Sequence, residues 1–168
     1  AEMEAPWMEL QECTQTAKDE IKFILQKVLE KHEADLKLLG RDVEKLKKVV
    51  SKEFPSITYT EALKVLKEKE GMDVEWGSDL RTVEEEKLML HFDTPVVVTN
   101  YPIEIMAFYK PHDPKDPKTA LCFDMLAPEG FGEIVGGSQR NLDVEDMKAR
   151  LTTEGGNPAD YEWYFDLR

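Results

Sequence analysis

FDMLAPEGFGEIVGGSQR, residues Phe123 to Arg140, is the stretch that decides how this chain is read. Asp124 comes at the end of an apolar strand and Glu133 begins the next one. Pro128-Glu129-Gly130 joins the two, so they are expected to pair as an antiparallel hairpin. Two carboxylates at facing strand positions could share a divalent cation, because Mg2+ takes oxygen ligands and keeps water or phosphate in its other positions. Gly136-Gly137-Ser138 follows, where missing side chains let a ligand lie against the backbone. Arg140 closes the segment. With Glu133 inside the sheet, strict alternation puts Val135 and Gly137 on its face and Ile134 and Gly136 on the other. Arg140 then falls on the wrong face to meet Glu133, unless a bulge at the glycine pair corrects the parity. The residue types alone are also compatible with a glycine-rich hairpin whose charges face water.

Toward the N-terminus, Val96-Val97-Val98-Thr99 is a β-branched strand after Pro95, and Tyr101-Pro102 turns the chain. Ile103 to Tyr109 reads as a second strand, and Pro111 to Lys118 as a polar, proline-rich loop. Thr119 to Leu126 and Gly132 to Arg140 complete four consecutive strands with short connections, which predicts an antiparallel sheet. Before Pro95 the chain reads as helical. Ile21, Ile24, Leu25, Val28 and Leu29 form the stripe of an amphipathic helix running from near Leu10 to before Gly40. Val43, Leu46, Val49 and Val50 mark a second helix. Its Lys45, Lys47, Lys48 and Lys52 form either a solvated face or a contact to RNA phosphate. Thr58 with Glu61 has capping-box spacing for a third helix ending near Gly71, and Thr82 with Glu85 repeats it for a fourth through Leu88. Beyond Arg140, Asp143 caps a helix bearing Val144, Met147 and Leu151, and Asn157-Pro158 opens a last one. The expected class is α+β, an antiparallel sheet flanked by helices. Residues 1–94 are expected to form a mainly helical insertion, and residues 95–168 the strands and helices that carry the candidate site.

Composition narrows the function classes. The 168 residues are one domain's worth, enough to bury a core. A net charge of −13 argues against gripping nucleic acid through the whole surface. It leaves room for a local basic patch, or for a small anionic ligand held by one arginine and a metal. Cys13 and Cys122 lack disulfide or zinc spacing and read as reduced cysteines of a cytoplasmic protein. His32, His91 and His112 are scattered, without the grouping of a histidine-based metal or catalytic site. No apolar run of membrane-spanning length and no basic-then-apolar leader occurs, so the chain reads as soluble and unexported.

The stretch from Asp124 to Arg140 resembles the region between motifs 2 and 3 of class II aminoacyl-tRNA synthetases of the asparaginyl/aspartyl branch. These enzymes carry an Asp at the end of one strand, then a Gly-Glu-Ile-x-Gly-Gly-Ser-x-Arg strand. The resemblance implies that Asp124 and Glu133 coordinate the Mg2+ bound to ATP, and that Arg140 holds the side-chain end of the amino acid. Tyr101-Pro102 with Ala107-Phe108-Tyr109 is similar to the family's paired strands, where the tyrosine matching Tyr109 lies near the amino-acid pocket; a core tyrosine is the rival reading. Gly136 and Gly137 line the same candidate pocket. Tyr161 to Arg168, YEWYFDLR, resembles the helix that runs up to motif 3, and Ala1 to Leu10, AEMEAPWMEL, the turn after motif 2.

Gly-Gly-Ser-Gln-Arg, the Trp163-Tyr164 pair and the wide spacing between Asp124 and Glu133 resemble the asparaginyl branch more than the aspartyl one. The implied activity is formation of an aminoacyl-adenylate from ATP and asparagine (or aspartate), then transfer to tRNA in a homodimeric enzyme. Motif 1, which builds the dimer, the motif 2 arginine and glutamate, and motif 3 fall outside residues 1–168. These residues by themselves are therefore expected not to charge tRNA. A non-catalytic binding module derived from a synthetase, or a relative that activates an amino acid without charging tRNA, stands as the alternative.

Overall fold

The computed structural model describes all 168 residues, Ala1–Arg168. Helix α1 (Leu10–Leu38) has a non-helical residue at His32, and α2 (Val43–Ser51) follows after a turn at Gly40. Strand β1 (Ser56–Thr58) leads into α3 (Tyr59–Glu70), and α4 (Thr82–Met89) precedes β2 (Val96–Thr99). A 3-10 turn at Ile103–Ile105 is followed by β3 (His112–Asp113), β4 (Asp116–Ala120), β5 (Cys122–Ala127) and β6 (Gly132–Ser138). Helix α5 (Val144–Thr153), a 3-10 turn at Pro158–Tyr161 and the short α6 (Glu162–Phe165) end the chain.

The sheet sits between two helical layers. Val97, Phe123 and Met125 bury one face against Ala17 of α1 and Val49 of α2. Val96, Val98, Cys122 and Leu126 bury the other against Tyr59, Ala62 and Leu66 of α3 and Leu88 of α4. Coverage of both faces explains why β2 is continuously apolar rather than alternating. A third cluster, Phe108 with Met147, Leu151 and Phe165, docks α5 and α6 beside the sheet.

The α+β class with flanking helices matches the expectation, but strand pairing differs in three places. The main sheet runs in the order β1-β2-β5-β6, with β2, β5 and β6 antiparallel and β1 added parallel to β2. Three residues are too few for β1 to show a hydrophobic period. The polar loop at 111–118 is not structureless: β3 and β4 pair there as a separate two-stranded sheet, so the expected strand Thr119–Leu126 breaks at Leu121. Ile103–Tyr109 is not a strand. Its carbonyls turn to the guanidinium of Arg150 on α5, which donates to the oxygens of Ile103 (3.3 Å), Met106 (2.8 Å), Ala107 (3.1 Å) and Lys110 (2.5 Å). A cation reaching across from another element offers these carbonyls an alternative to a ladder, and local sequence carries no sign of it.

Helix caps were more legible. Thr58 and Glu61 form the expected reciprocal box, and Asp143 accepts from the Glu145 and Asp146 amides. At α4 the box is one residue earlier than expected. Glu84, buried at 3% exposure, accepts from the Arg81 amide and from its guanidinium at 2.6 Å. That shift leaves Glu85 unused by the cap.

Candidate active site

A bulge in β6 builds the acidic half of the site. Leu126 pairs with Glu133 but Met125 pairs with Val135, so Ile134 is the extra residue. The bulge lies at Ile134, not at the glycine pair, and it has the same effect on parity. Glu133, Gly136 and Ser138 now share the face of Asp124, and the count from Glu133 to Arg140 becomes even. A Cβ added to Gly136 would stand 2.5 Å from Glu133 Oε1 and 3.4 Å from Asp124 Oδ1. Both carboxylates thus reach one point above a bare backbone, and any side chain at 136 would occupy it.

Neither carboxylate has a hydrogen-bonded or ionic protein partner. Burial, reinforced by the charge of Glu133, pushes the Asp124 carboxyl up to about 6, with the Tyr101 phenol and Lys110 acting the other way. Tyr101 is 1% exposed, and its hydroxyl faces Asp124 without forming a hydrogen bond of ordinary geometry. Glu85 of α4 joins this group: its Oε2 lies 3.3 Å from where a Cβ on Gly132 would be. Burial first, then the charges of Glu133 and Asp124, raises its carboxyl above the ordinary value. Hard oxygen donors without an ion-paired partner suit a divalent cation. No three His, Cys, Asp or Glu side chains converge as direct ligands. A cation here would draw its remaining ligands from water or phosphate, which fits Mg2+ better than a metal that needs a closed protein cage.

The two glycines differ. A Cβ on Gly137 would strike the Phe123 ring at 2.4 Å, inside the core beneath α1. The absence of a side chain at 137 therefore serves packing, whereas at 136 it opens space between carboxylates.

Arg140 and Tyr109 lie together, with the guanidinium 5.0 Å from the ring centroid. Sequence reasoning missed their third member. Glu4 accepts from Arg140 Nε at 2.7 Å and from Nη2 at 2.8 Å, which leaves Nη1 unpaired. The arginine holds the Glu4 carboxyl below its ordinary range. A separation of 136 residues hid this pair, and only its charge type could have suggested it. Tyr109 packs on Phe108, whose ring also meets Tyr161 and Tyr164, so the aromatic C-terminal segment backs this corner. The lysines on and just after α2 are largely spoken for: Lys45 pairs with Glu129, Lys47 with Glu33 and Glu44, and Lys52 with Asp93.

With this geometry in hand, comparison with known proteins is specific. The family described as tRNA synthetases class II (D, K and N) matches residues 1–168. The chain is 44% identical over 167 residues to the asparagine–tRNA ligase of Pyrococcus furiosus, covering 99% of this chain and 38% of that protein. It is 41% identical over 167 residues to the Lactobacillus johnsonii asparagine–tRNA ligase, again covering 38% of it. The crystal structure of Pyrococcus horikoshii asparaginyl-tRNA synthetase complexed with asparaginyl-adenylate superposes with a TM-score of 0.91 at 42% identity, over 97% of this chain and 37% of that one. The Entamoeba histolytica aspartyl-tRNA synthetase superposes at 0.77 with 25% identity, over 95% of this chain and 33% of that one. The chain thus spans little more than a third of the length of these relatives.

Proposed function

The chain belongs to the class II tRNA synthetases (D, K and N), and on that premise we propose that it carries the metal and amino-acid half-site of an asparagine–tRNA ligase. The observation that carries asparagine, rather than aspartate, is the Glu4–Arg140 pair beside Tyr109. A side-chain amide offers one carbonyl oxygen and one NH2. The free Nη1 of Arg140 can donate to the oxygen, and Glu4 can accept from the NH2. An aspartate carboxylate would meet Arg140 equally well but would be repelled by Glu4. Identity of more than 40% with asparagine–tRNA ligases supports the same choice.

In the proposed reaction the asparagine carboxylate attacks the α-phosphorus of ATP. A carboxyl–phosphate bond forms and pyrophosphate leaves; a terminal ribose hydroxyl of tRNA then takes the asparaginyl group and releases AMP. Asp124 and Glu133 are the residues that would hold Mg2+, which supplies positive charge to the triphosphate when bound. Gly136 keeps the space between those carboxylates open. Arg140 and Glu4 fix the amide end, and Tyr109 flanks it, so that the reacting carboxylate is presented in one orientation. We infer that the whole enzyme works as a homodimer in the cytoplasm, a reading supported by family membership.

Titration calorimetry of the full-length protein with each amino acid tests the substrate. Asparagine should bind at least about 100-fold more tightly than aspartate, and Arg140→Ala should abolish binding of both. Glu4→Gln should narrow the preference by about tenfold, mostly by admitting aspartate. Equal or tighter binding of aspartate to the wild-type protein would defeat the asparagine reading.

A further inference from the structure

The backbone of Arg140 is anchored on both sides, to two different segments. The Gln139 amide donates to the Leu121 carbonyl at 2.9 Å, and the Asn141 amide donates to the Tyr109 carbonyl at 2.8 Å. The second bond ties the chain beside Arg140 to the residue on whose ring its guanidinium stacks. Asn141 is 5% exposed, and both ends of its side-chain amide are engaged. Oδ1 accepts from the Asp143 amide at 2.9 Å, and Nδ2 donates to Asp146 Oδ2 on α5 at 2.7 Å. These partners fix which way the amide points, since only its oxygen can take an N–H and only its nitrogen can give to a carboxylate. The same Asp146 oxygen lies 4.0 Å from Arg150 Nη1. Arg150 gathers the carbonyls of Met106, Ala107 and Lys110, on either side of Tyr109. Asp146 therefore stands between the arm that carries Arg140 and the arm that carries Tyr109. Helix capping does not account for the Asn141–Asp146 bond, because Asp143 already caps α5 through the Glu145 and Asp146 amides.

We propose that Asn141, through its bond to Asp146, is a positioning residue for asparagine recognition. It fixes Arg140 against Tyr109, so that the unpaired Nη1 faces the substrate amide. The inference rests on the amino-acid reading of Arg140 and Glu4 given above and deepens it. A hydrogen bond needs a donor–acceptor distance near about 2.9 Å and a nearly straight angle, so a shift of about 1 Å in the guanidinium forfeits most of the contact.

The full-length protein is titrated with asparagine and, separately, with Mg-ATP at a temperature where every variant is folded; ligand-free thermal unfolding is recorded alongside. Asn141→Asp keeps the acceptor for the Asp143 amide but sets one carboxylate against another. It should weaken asparagine binding about tenfold and leave Mg-ATP affinity within about twofold of wild type. Asn141→Ala, which adds no charge, should weaken asparagine binding about fivefold. Combining Asn141→Asp with Asp146→Asn reverses donor and acceptor across the same bond, and should return asparagine affinity to within about threefold of wild type. If Asn141 served folding alone, both single variants would unfold at lower temperature yet bind asparagine with unchanged affinity, and that result overturns the inference. Equal losses for asparagine and Mg-ATP overturn it too, as does a double variant that binds no better than Asn141→Asp. A wild-type protein that binds Mg-ATP but not asparagine sinks the amino-acid reading itself. Wild-type binding that is lost in Arg140→Ala but kept in Asn141→Asp sinks only this inference.

Discussion

Gly136 and Gly137 are adjacent and chemically identical, yet they answer to different neighbours. A methyl at 136 would meet the far end of the Glu133 side chain, which can swing aside; a methyl at 137 would meet an aromatic ring held in the core. Gly136→Ala should therefore leave stability within about 0.5 kcal/mol of wild type while weakening divalent-cation binding, because Glu133 is displaced. Gly137→Ala should cost about 1–3 kcal/mol by overpacking against Phe123. Urea denaturation of both variants checks the contrast, and a larger loss at 136 would contradict it. The dipeptide was legible as a place of missing side chains. Which of the two faces the carboxylates was not, because that depends on a bulge at Ile134 which no residue type announces.

Between elements, Arg150 has an influence that its own helix does not reveal. Its guanidinium gathers the carbonyls of the segment from Ile103 to Lys110, and this segment delivers Phe108 and Tyr109 to the aromatic corner behind Arg140. Burial lowers its pKa, the expected cost of taking a cation out of water. The carbonyls compensate as charge-assisted acceptors. Arg150→Met should destabilise by about 2–4 kcal/mol, since several buried acceptors lose their donor together. Arg150→Lys should recover little, because a point ammonium cannot fork across four carbonyls. Thermal unfolding reads the first effect, and asparagine affinity should fall in parallel as Tyr109 loses its support. The apolar content of Ile103–Tyr109 suggested a strand, but strand character needs a partner edge, and here a side chain 40 or more residues away satisfies the backbone.

Across the whole molecule, the helical hairpin of α1 and α2 is tied to the turn of the site-bearing β5–β6 hairpin. Glu129, at a positive φ of 69°, takes Arg41 through both of its oxygens and Lys45 at 2.8 Å. These cations bring its carboxyl down from an ordinary 4.5 to about 2. A depressed acid stabilises the fold fully above its unfolded pKa and loses that contribution as pH falls toward the folded value. The clamp should therefore contribute about 1–2 kcal/mol at pH 7 after screening, and almost nothing near pH 2. Comparing wild type with Glu129→Gln from pH 7 to pH 2 should show a gap in unfolding temperature that closes below about pH 4. A gap that persists at low pH would mean that the glutamate acts through packing rather than charge.

By itself the sequence determined the elements whose causes are local: the stripe of α1, the Thr58 and Asp143 caps, the β-branched run of β2, and the hairpin that bears Asp124 and Glu133. Hydrophobic period, capping geometry and turn chemistry act within a few residues, so they are written in order along the chain. The tertiary structure alone decided what depends on distant groups meeting. It added β1 in parallel at the sheet edge and withdrew Ile103–Tyr109 from the sheet to serve Arg150. It set the parity of β6 by a bulge and joined Glu4 to Arg140. Each of these is settled by which buried polar group finds which partner, and that choice is made only when the layers close.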